Sequence, residues 1–315
     1  MKIDPQIKRA TEQPGGRLLY VDVMKAVGIV LVVAGHTISS SHRLLYSFHM
    51  PLFFFISGMT FKPKPYRAFL RSRAGTLLLP YVTYVGLVTA GLMVSGAVPW
   101  RPALASALFG GDHLVGWLAA AWFPTCLMLA LAAYAALRLR FGVGSIAMII
   151  AAVSTLSLSY LVSGLSLPFA AASAPMAFVF LWLGENHKRW RGWLPIPLAL
   201  LLSLAGALIL RPYDMKHAFF GTPIASVITA FASCLCFAAA SEFVVVRWPE
   251  AARWLSPLAR GALGIMFLHA LIWWPLRTVL AGPVCFLLAL TGSLALTMLL
   301  RRVGPLSRRL LLGEK

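Results

Sequence analysis

Residues 20–61 read YVDVMKAVGIVLVVAGHTISSSHRLLYSFHMPLFFFISGMTF, and this stretch decides the fold. It is a hydrophobic helix, a short polar turn and a second hydrophobic helix. Asp22, Lys25, His36, His49 and Ser57 stand where lipid alone would not tolerate them. Ionisable groups inside a membrane span are costly, so they are candidate functional residues.

Outward from this pair, the 315 residues are 60% hydrophobic and 12% charged, against about 45–50% and about 25% in ordinary soluble domains. Apolar runs of about 20 residues, the length a helix needs to cross a bilayer, recur along the chain. A membrane barrel would show short alternating segments instead. The expected fold is therefore all-α, a polytopic membrane bundle of about ten spans: 18–37, 45–61, 76–97, 114–137, 144–163, 167–184, 193–210, 222–246, 261–281 and 283–300. Residues 1–16 read as a mobile cytoplasmic arm, 17–302 as one transmembrane domain, and 303–315 as a basic tail along the inner surface. No internal repeat or soluble domain interrupts them.

The net charge of +19 is a topology signal. With the amino terminus cytoplasmic, 22 of the 28 Lys and Arg fall on the inner side. That is the positive-inside pattern for an even number of spans with both termini cytoplasmic. It leaves no basic domain that would bind nucleic acid, while attraction to anionic membrane lipid is expected. Cys126, Cys234, Cys236 and Cys285 lie in apolar spans without a C-x-x-C pair, so neither a disulfide framework nor a metal site is expected. The first span carries Asp22 and Lys25 and ends in polar residues, which makes it an uncleaved helix rather than a signal peptide.

Residues 62–75, KPKPYRAFLRSRAG, hold five basic side chains. They serve either as the strongest topology anchor or as a receiver for a phosphate-bearing ligand. Pro80 is expected to kink or restart the following helix, and Pro124 in Trp122-Phe123-Pro124 to kink the fourth span, with Trp122 lining a cavity. Residues 98–113 and 211–221 read as outer loops. His269 lies mid-membrane on the ninth span.

Lys25 and His36 are 11 residues apart, about 20° from eclipsed and about 16 Å apart along a helix. Asp22 can pair with Lys25 but lies about 21 Å from His36, too far to orient that imidazole. His36 ends one span and His49 begins the next, so both sit at similar depth, with Ser57 about 12 Å further in. Histidine is the usual general base near neutral pH. P-loop, H-E-x-x-H, G-x-S-x-G and dinucleotide fingerprints are missing.

These residues resemble the acyltransferase-3 family of integral-membrane acyltransferases. The likeness is carried by VDVMKAVGIVLVVAGHT, with its basic residue and histidine at Lys25 and His36, by HMPLFFF and Ser-Gly at His49–Phe55 and Ser57-Gly58, and by Arg71, Arg73 and LLLPY ending at Tyr81. Trp122-Phe123 and the late FLH of His269 are weaker echoes. The family's commoner basic residue is Arg where this chain has Lys25, which loosens bidentate phosphate binding.

The resemblance implies a ten-helix enzyme of the plasma (bacterial inner) membrane. It would move an acyl group, mostly acetyl, from cytoplasmic acyl-CoA to a hydroxyl of a carbohydrate, lipid-linked sugar or exopolysaccharide. Acetyl-CoA is then a donor substrate, and no cofactor is permanently bound. His36 becomes the general base or a transient acyl carrier, with His49 and Ser57 positioning the thioester. Lys25, Arg71, Arg73, Tyr81 and Trp122 become the donor-binding set. The competing class is a transporter or flippase using Asp22, Lys25, His36 and His269 as a relay or binding site.

Overall fold

The computed structural model describes residues 12–13, 17–38, 42–211 and 213–314. It is helical apart from one two-residue pairing, Glu12–Gln13 (β1) with Arg17–Leu18 (β2). That pairing stands within the stretch expected to be a mobile arm; the remainder of residues 1–16 lies outside the described residues.

In chain order the helices are α1 Leu19–Thr37, α2 His42–Tyr46, α3 His49–Met59, α4 Tyr66–Arg73, α5 Leu79–Val94, α6 Trp100–Phe109, α7 Trp122–Phe141 and α8 Ile146–Leu161. They continue with α9 Ala174–Glu185, α10 His187–Arg191, α11 Ile196–Ile209, α12 Ala225–Arg247, α13 Pro249–Trp254, α14 Ser256–Leu276, α15 Gly282–Val303 and α16 Pro305–Leu312. Among the described residues, 7 helical stretches are long and apolar enough to cross a membrane, and the chain is a multi-pass membrane protein. Shorter apolar helices occupy Leu44–Met59, Ile146–Leu161 and Ile196–Ile209, where the second, fifth and seventh spans were expected. They reach only about 21–24 Å at 1.5 Å per residue, short of the ~30 Å hydrocarbon core.

α1 is central to the bundle: α3, α12, α14 and α15 all pack on it, and its apolar window is 67% buried, second to the 72% of Gly116–Phe141. The carboxyl ends of α1 and α14 lie together. Trp273 of α14 meets His36, and Gly282, which opens the next helix, abuts the Thr37 carbonyl. α3 runs antiparallel to α1 and crosses α9 with no side chain between the backbones, because Gly58 faces Leu181 and Gly184 faces Phe55.

Three sequence expectations are corrected. Residues Tyr66–Val94 form one helical stretch, not an interfacial segment followed by a restart at Pro80. A π-turn over Ala74–Leu78, whose last ring closes with the Leu79 amide on the Ala74 carbonyl, admits the proline without a break. Pro124 does not kink α7 either, since that helix begins at Trp122 and a first-turn proline has no amide hydrogen to lose.

The segment following α6 enters the bundle, and residues 114–121, expected as the start of the fourth span, are not α-helical, since α7 begins only at Trp122. Gly110 and Gly111, both at positive φ, turn it inward. Leu114 and Ala121 are then fully buried, Gly116 seats under Trp274, and Tyr84 Oη donates to the Trp117 carbonyl at 2.6 Å. The basic tail, expected along the inner surface, packs on the bundle. Leu312 is buried against Gly264 and Thr297, Gly313 closes on the Thr76 carbonyl, and Arg301 pairs with Glu314.

One polar network locks α7 to α9. Arg138 Nε donates to Glu185 Oε1 at 2.8 Å and Tyr134 Oη donates to Oε2 at 2.5 Å, with the charged side chains only 20% and 14% exposed. Removing the shared acceptor strands two donors, so Glu185→Ala is expected to cost about 3 kcal/mol. Arg138→Ala, which leaves the Tyr134 bond, should cost less; thermal unfolding of the detergent-solubilised protein compares the two.

Candidate active site

The site is built on the antiparallel pair α1 and α3. Lys25 and His36 are both half-buried in α1, separated by about 16 Å of helix. On α3 the same interval recurs in the opposite direction, since Thr60, at its carboxyl end, follows His49 by 11 residues. One end of the pair therefore carries histidines and the other carries cations.

At the histidine end, the His36 ring lies 5.1 Å from that of His269, tilted 46°, and 5.7 Å from that of Trp273. His49 is 5% exposed. Its Nδ1 donates to the Leu45 carbonyl at 2.7 Å and its ring packs 4.9 Å from Tyr46, which in turn reaches Gly35 of α1. His269 is fully buried; its Nδ1 donates to the Ile265 carbonyl at 3.0 Å.

Ser57 Oγ donates to the Phe53 carbonyl at 2.8 Å. Phe53 lies over Gly28, so Ser57, one turn further along α3, falls at the depth of Lys25 and well away from His36.

At the cationic end, Thr60, Lys62, Lys64, Phe69, Ser72 and Arg73 line a cavity of about 180 Å³. Phe69 is 2% exposed and the Arg73 guanidinium stands 5.4 Å from its ring centre. Arg71 is exposed on the other side of α4, because residues two apart on a helix do not share a face. The remaining sequence candidates lie elsewhere. Tyr81 is buried deep in the bundle with its hydroxyl beside Gly110, and Trp122 is buried at the start of α7, edge-on to Phe123.

Thus the structure draws together His36, His269 and Trp273 at one end and Lys62, Lys64 and Arg73 at the other. Trp273 was absent from the sequence-derived candidates, and His269 stood only in the alternative relay with Asp22, Lys25 and His36 and as a weaker family echo, not in the catalytic set. Lys62 and Lys64 belonged to the basic run read as topology anchor or phosphate receiver, and both line the cavity with Arg73.

On the face opposite the cationic cavity, Lys216 Nζ donates to the Leu114 carbonyl at 2.6 Å. Burial pulls its ammonium below the usual lysine range, and Asp214 and Asp112 partly oppose that. This strap closes the loop 213–221 onto the inward-turned segment. Among the described residues no group of His, Cys, Asp and Glu could hold a metal ion.

A multi-pass helical bundle with histidines at one depth and a cationic cavity at the other is the frame of a membrane group-transfer enzyme. A family model described as an acyltransferase domain, that of the acyltransferase-3 family, matches residues 18–302, and the chain belongs to this family of membrane acyltransferases. No curated protein and no solved structure matches it at a significant level.

Proposed function

We propose that this acyltransferase takes an acyl group, acetyl in the first instance, from cytoplasmic acyl-CoA. It passes the group to a hydroxyl of a carbohydrate or lipid-linked sugar at the far side of the plasma (bacterial inner) membrane. The observation that carries this reading is the cationic cavity of Lys62, Lys64 and Arg73, set about 16 Å along α3 from the histidines. That separation suits an extended pantetheine arm. Phosphates of the donor meet three cations with the Thr60 and Ser72 hydroxyls beside them. Lys25 and Ser57 flank the arm toward the cationic end, and the thioester arrives by His36.

His36 then takes the proton of the acceptor hydroxyl as its oxygen attacks the thioester carbonyl, or carries the acyl group briefly itself. The departing sulfur leaves toward the cytoplasm and the acceptor enters from the opposite face. Nothing in this scheme requires a metal.

Steady-state release of CoA from acetyl-CoA by the protein in lipid nanodiscs tests the donor site. Charged hydrogen bonds to phosphate contribute about 1.5–3 kcal/mol each, so Lys62→Glu and Arg73→Glu should each raise KM for acetyl-CoA roughly 10- to 100-fold with kcat little altered. Arg71→Glu should change KM by less than about 3-fold, as an exposed charge does. Equal effects at Arg71 and Arg73, or flux of a solute without CoA release, would overturn the proposal.

A further inference from the structure

We infer that His269 is the group that orients the His36 imidazole. It is a positioning residue that acts through His36, and the inference rests on the reading of His36 as the base. A base held in one tautomer by a third group is the recurrent arrangement in such sites. Asp22, the carboxylate of α1, cannot fill that role, since it is 14 residues from His36, about 21 Å of helix. His269 of α14 fills it across the helix interface.

Three observations converge. The His269 Nδ1 faces the Ile265 carbonyl at 3.0 Å, and a carbonyl only accepts, so Nδ1 carries the proton and Nε2 is a bare lone pair in the neutral ring. That Nε2 is buried with no hydrogen-bond partner among the described residues, although buried polar atoms are nearly always paired. The His36 ring packs on the same imidazole, with centroids 5.1 Å apart and the planes tilted 46°.

Imidazoles joined by N–H···N bring their nitrogens to about 3 Å, which puts ring centres about 5 Å apart. Rotation of the His36 ring about its own axis therefore places an N–H on the waiting lone pair without backbone movement. Trp273, one turn further along α14 and 5.7 Å from His36, limits the ring to that swing. With one nitrogen held, the other presents its lone pair to the acceptor hydroxyl.

Protons and electrons balance through His36 alone. The hydroxyl proton passes to His36 as the acceptor oxygen bonds to the thioester carbon. The carbon–sulfur bond then breaks, and the sulfur takes the proton back. His269 accepts a hydrogen bond throughout and gains no net proton. A neutral imidazole suits this depth, where a carboxylate would need its own counter-ion.

A merely structural histidine in this socket, flanked by buried Ile265, Met266, Phe267, Leu268 and Ala270, would be replaced by leucine without loss. Full-length protein in nanodiscs, assayed with acetyl-CoA and methyl glucoside as the hydroxyl probe, separates the two roles. His269→Leu should lower kcat roughly 100-fold, with KM for acetyl-CoA within about 2-fold of wild type. His269→Gln, whose amide oxygen reaches the Nε2 position, should recover to within about 5-fold, and His269→Asn, which reaches only the Nδ1 position, should not. In a His36→Ala background, His269→Leu should add nothing.

Histidine nitrogen resonances of 15N-labelled protein give a second measurement that needs no turnover. One His36 tautomer is expected in wild type and in His269→Gln, and a mixture in His269→Leu. An active His269→Leu enzyme, a full additional loss in the His36→Ala background, or an unchanged tautomer would overturn the inference. Activity surviving in His36→Ala would overturn the reading of His36 instead, with the tautomer spectra still deciding whether the two rings are joined.

Discussion

His36→Ala is expected to lower acyl transfer about 10³-fold, within the 10²–10⁴ range for losing a positioned general base, while KM for acetyl-CoA stays near wild type. The separation of effects follows from distance. The cations of the donor cavity lie at the other end of α3, so removing an imidazole about 16 Å away leaves phosphate binding intact. The variant should also fold. His36 is only half-buried and its ring meets those of His269 and Trp273, so truncation opens a small gap at a place that already borders polar groups. Incorporation of radiolabelled acetyl into the added hydroxyl measures the loss. Quenching the wild-type enzyme with donor alone then distinguishes the two roles open to this residue. Label retained on the protein, and absent from His36→Ala, marks an acyl-histidine; label retained in neither favours direct transfer. Near-wild-type transfer by His36→Ala would remove this residue from the chemistry altogether.

The first helix was readable because its information is local. Lys25 and His36 share a stripe through the helix repeat alone, and Asp22, Lys25 and His36 each break an apolar run. What the sequence could not supply was the contact geometry between helices distant in the chain. His269 stands 233 residues after His36, and no periodicity within α14 says which neighbour it faces. Arg71 and Arg73 illustrate the opposite failure. Adjacent in a motif, they look like a pair, but a helix turns them about 200° apart, so one lines the cavity and the other meets solvent.

The inward-turned segment was missed for a related reason. Residues 98–113 are too broken by proline and glycine to span a membrane, and the apolar run from residue 114 was read as span throughout, with nothing in it to mark a non-α-helical start. Non-helical backbone can nevertheless enter a membrane protein where the surrounding protein satisfies its polar groups. Tyr84 and Lys216 do so here, donating to the Trp117 and Leu114 carbonyls. Those partners lie on α5 and in the loop 213–221, far from the segment in sequence.

Gly58→Val should prevent stable folding, and Gly58→Ala should cost about 3 kcal/mol or more, a larger effect than any surface or single-bond change in the bundle. A Cβ at Gly58 would fall on the Leu181 carbonyl oxygen, with the Leu181 Cα only 2.9 Å away. The reciprocal Cβ at Gly184 would fall on the Phe55 carbonyl, with the Met59 amide nitrogen at 3.1 Å. Both obstacles are backbone atoms of a neighbouring helix, so no side chain can swing aside; α3 and α9 must separate bodily. Small residues are how membrane helices approach this closely, because lipid supplies no hydrophobic drive to hold them together and the contact itself must do so. The glycine Cα hydrogens then point at carbonyls across the interface, adding weak attraction that a methyl would replace with overlap. Separation also bears on the chemistry. α3 carries His49 at one end and leads into Thr60 and Lys62 at the other, so a displaced α3 changes the span that a donor must bridge. Gly184→Ala should therefore match Gly58→Ala in thermal stability and in lost turnover. Combining the two should cost less than their sum, since one displacement relieves both contacts. Strict additivity of the pair in thermal unfolding would show that the two glycines do not meet at a common crossing.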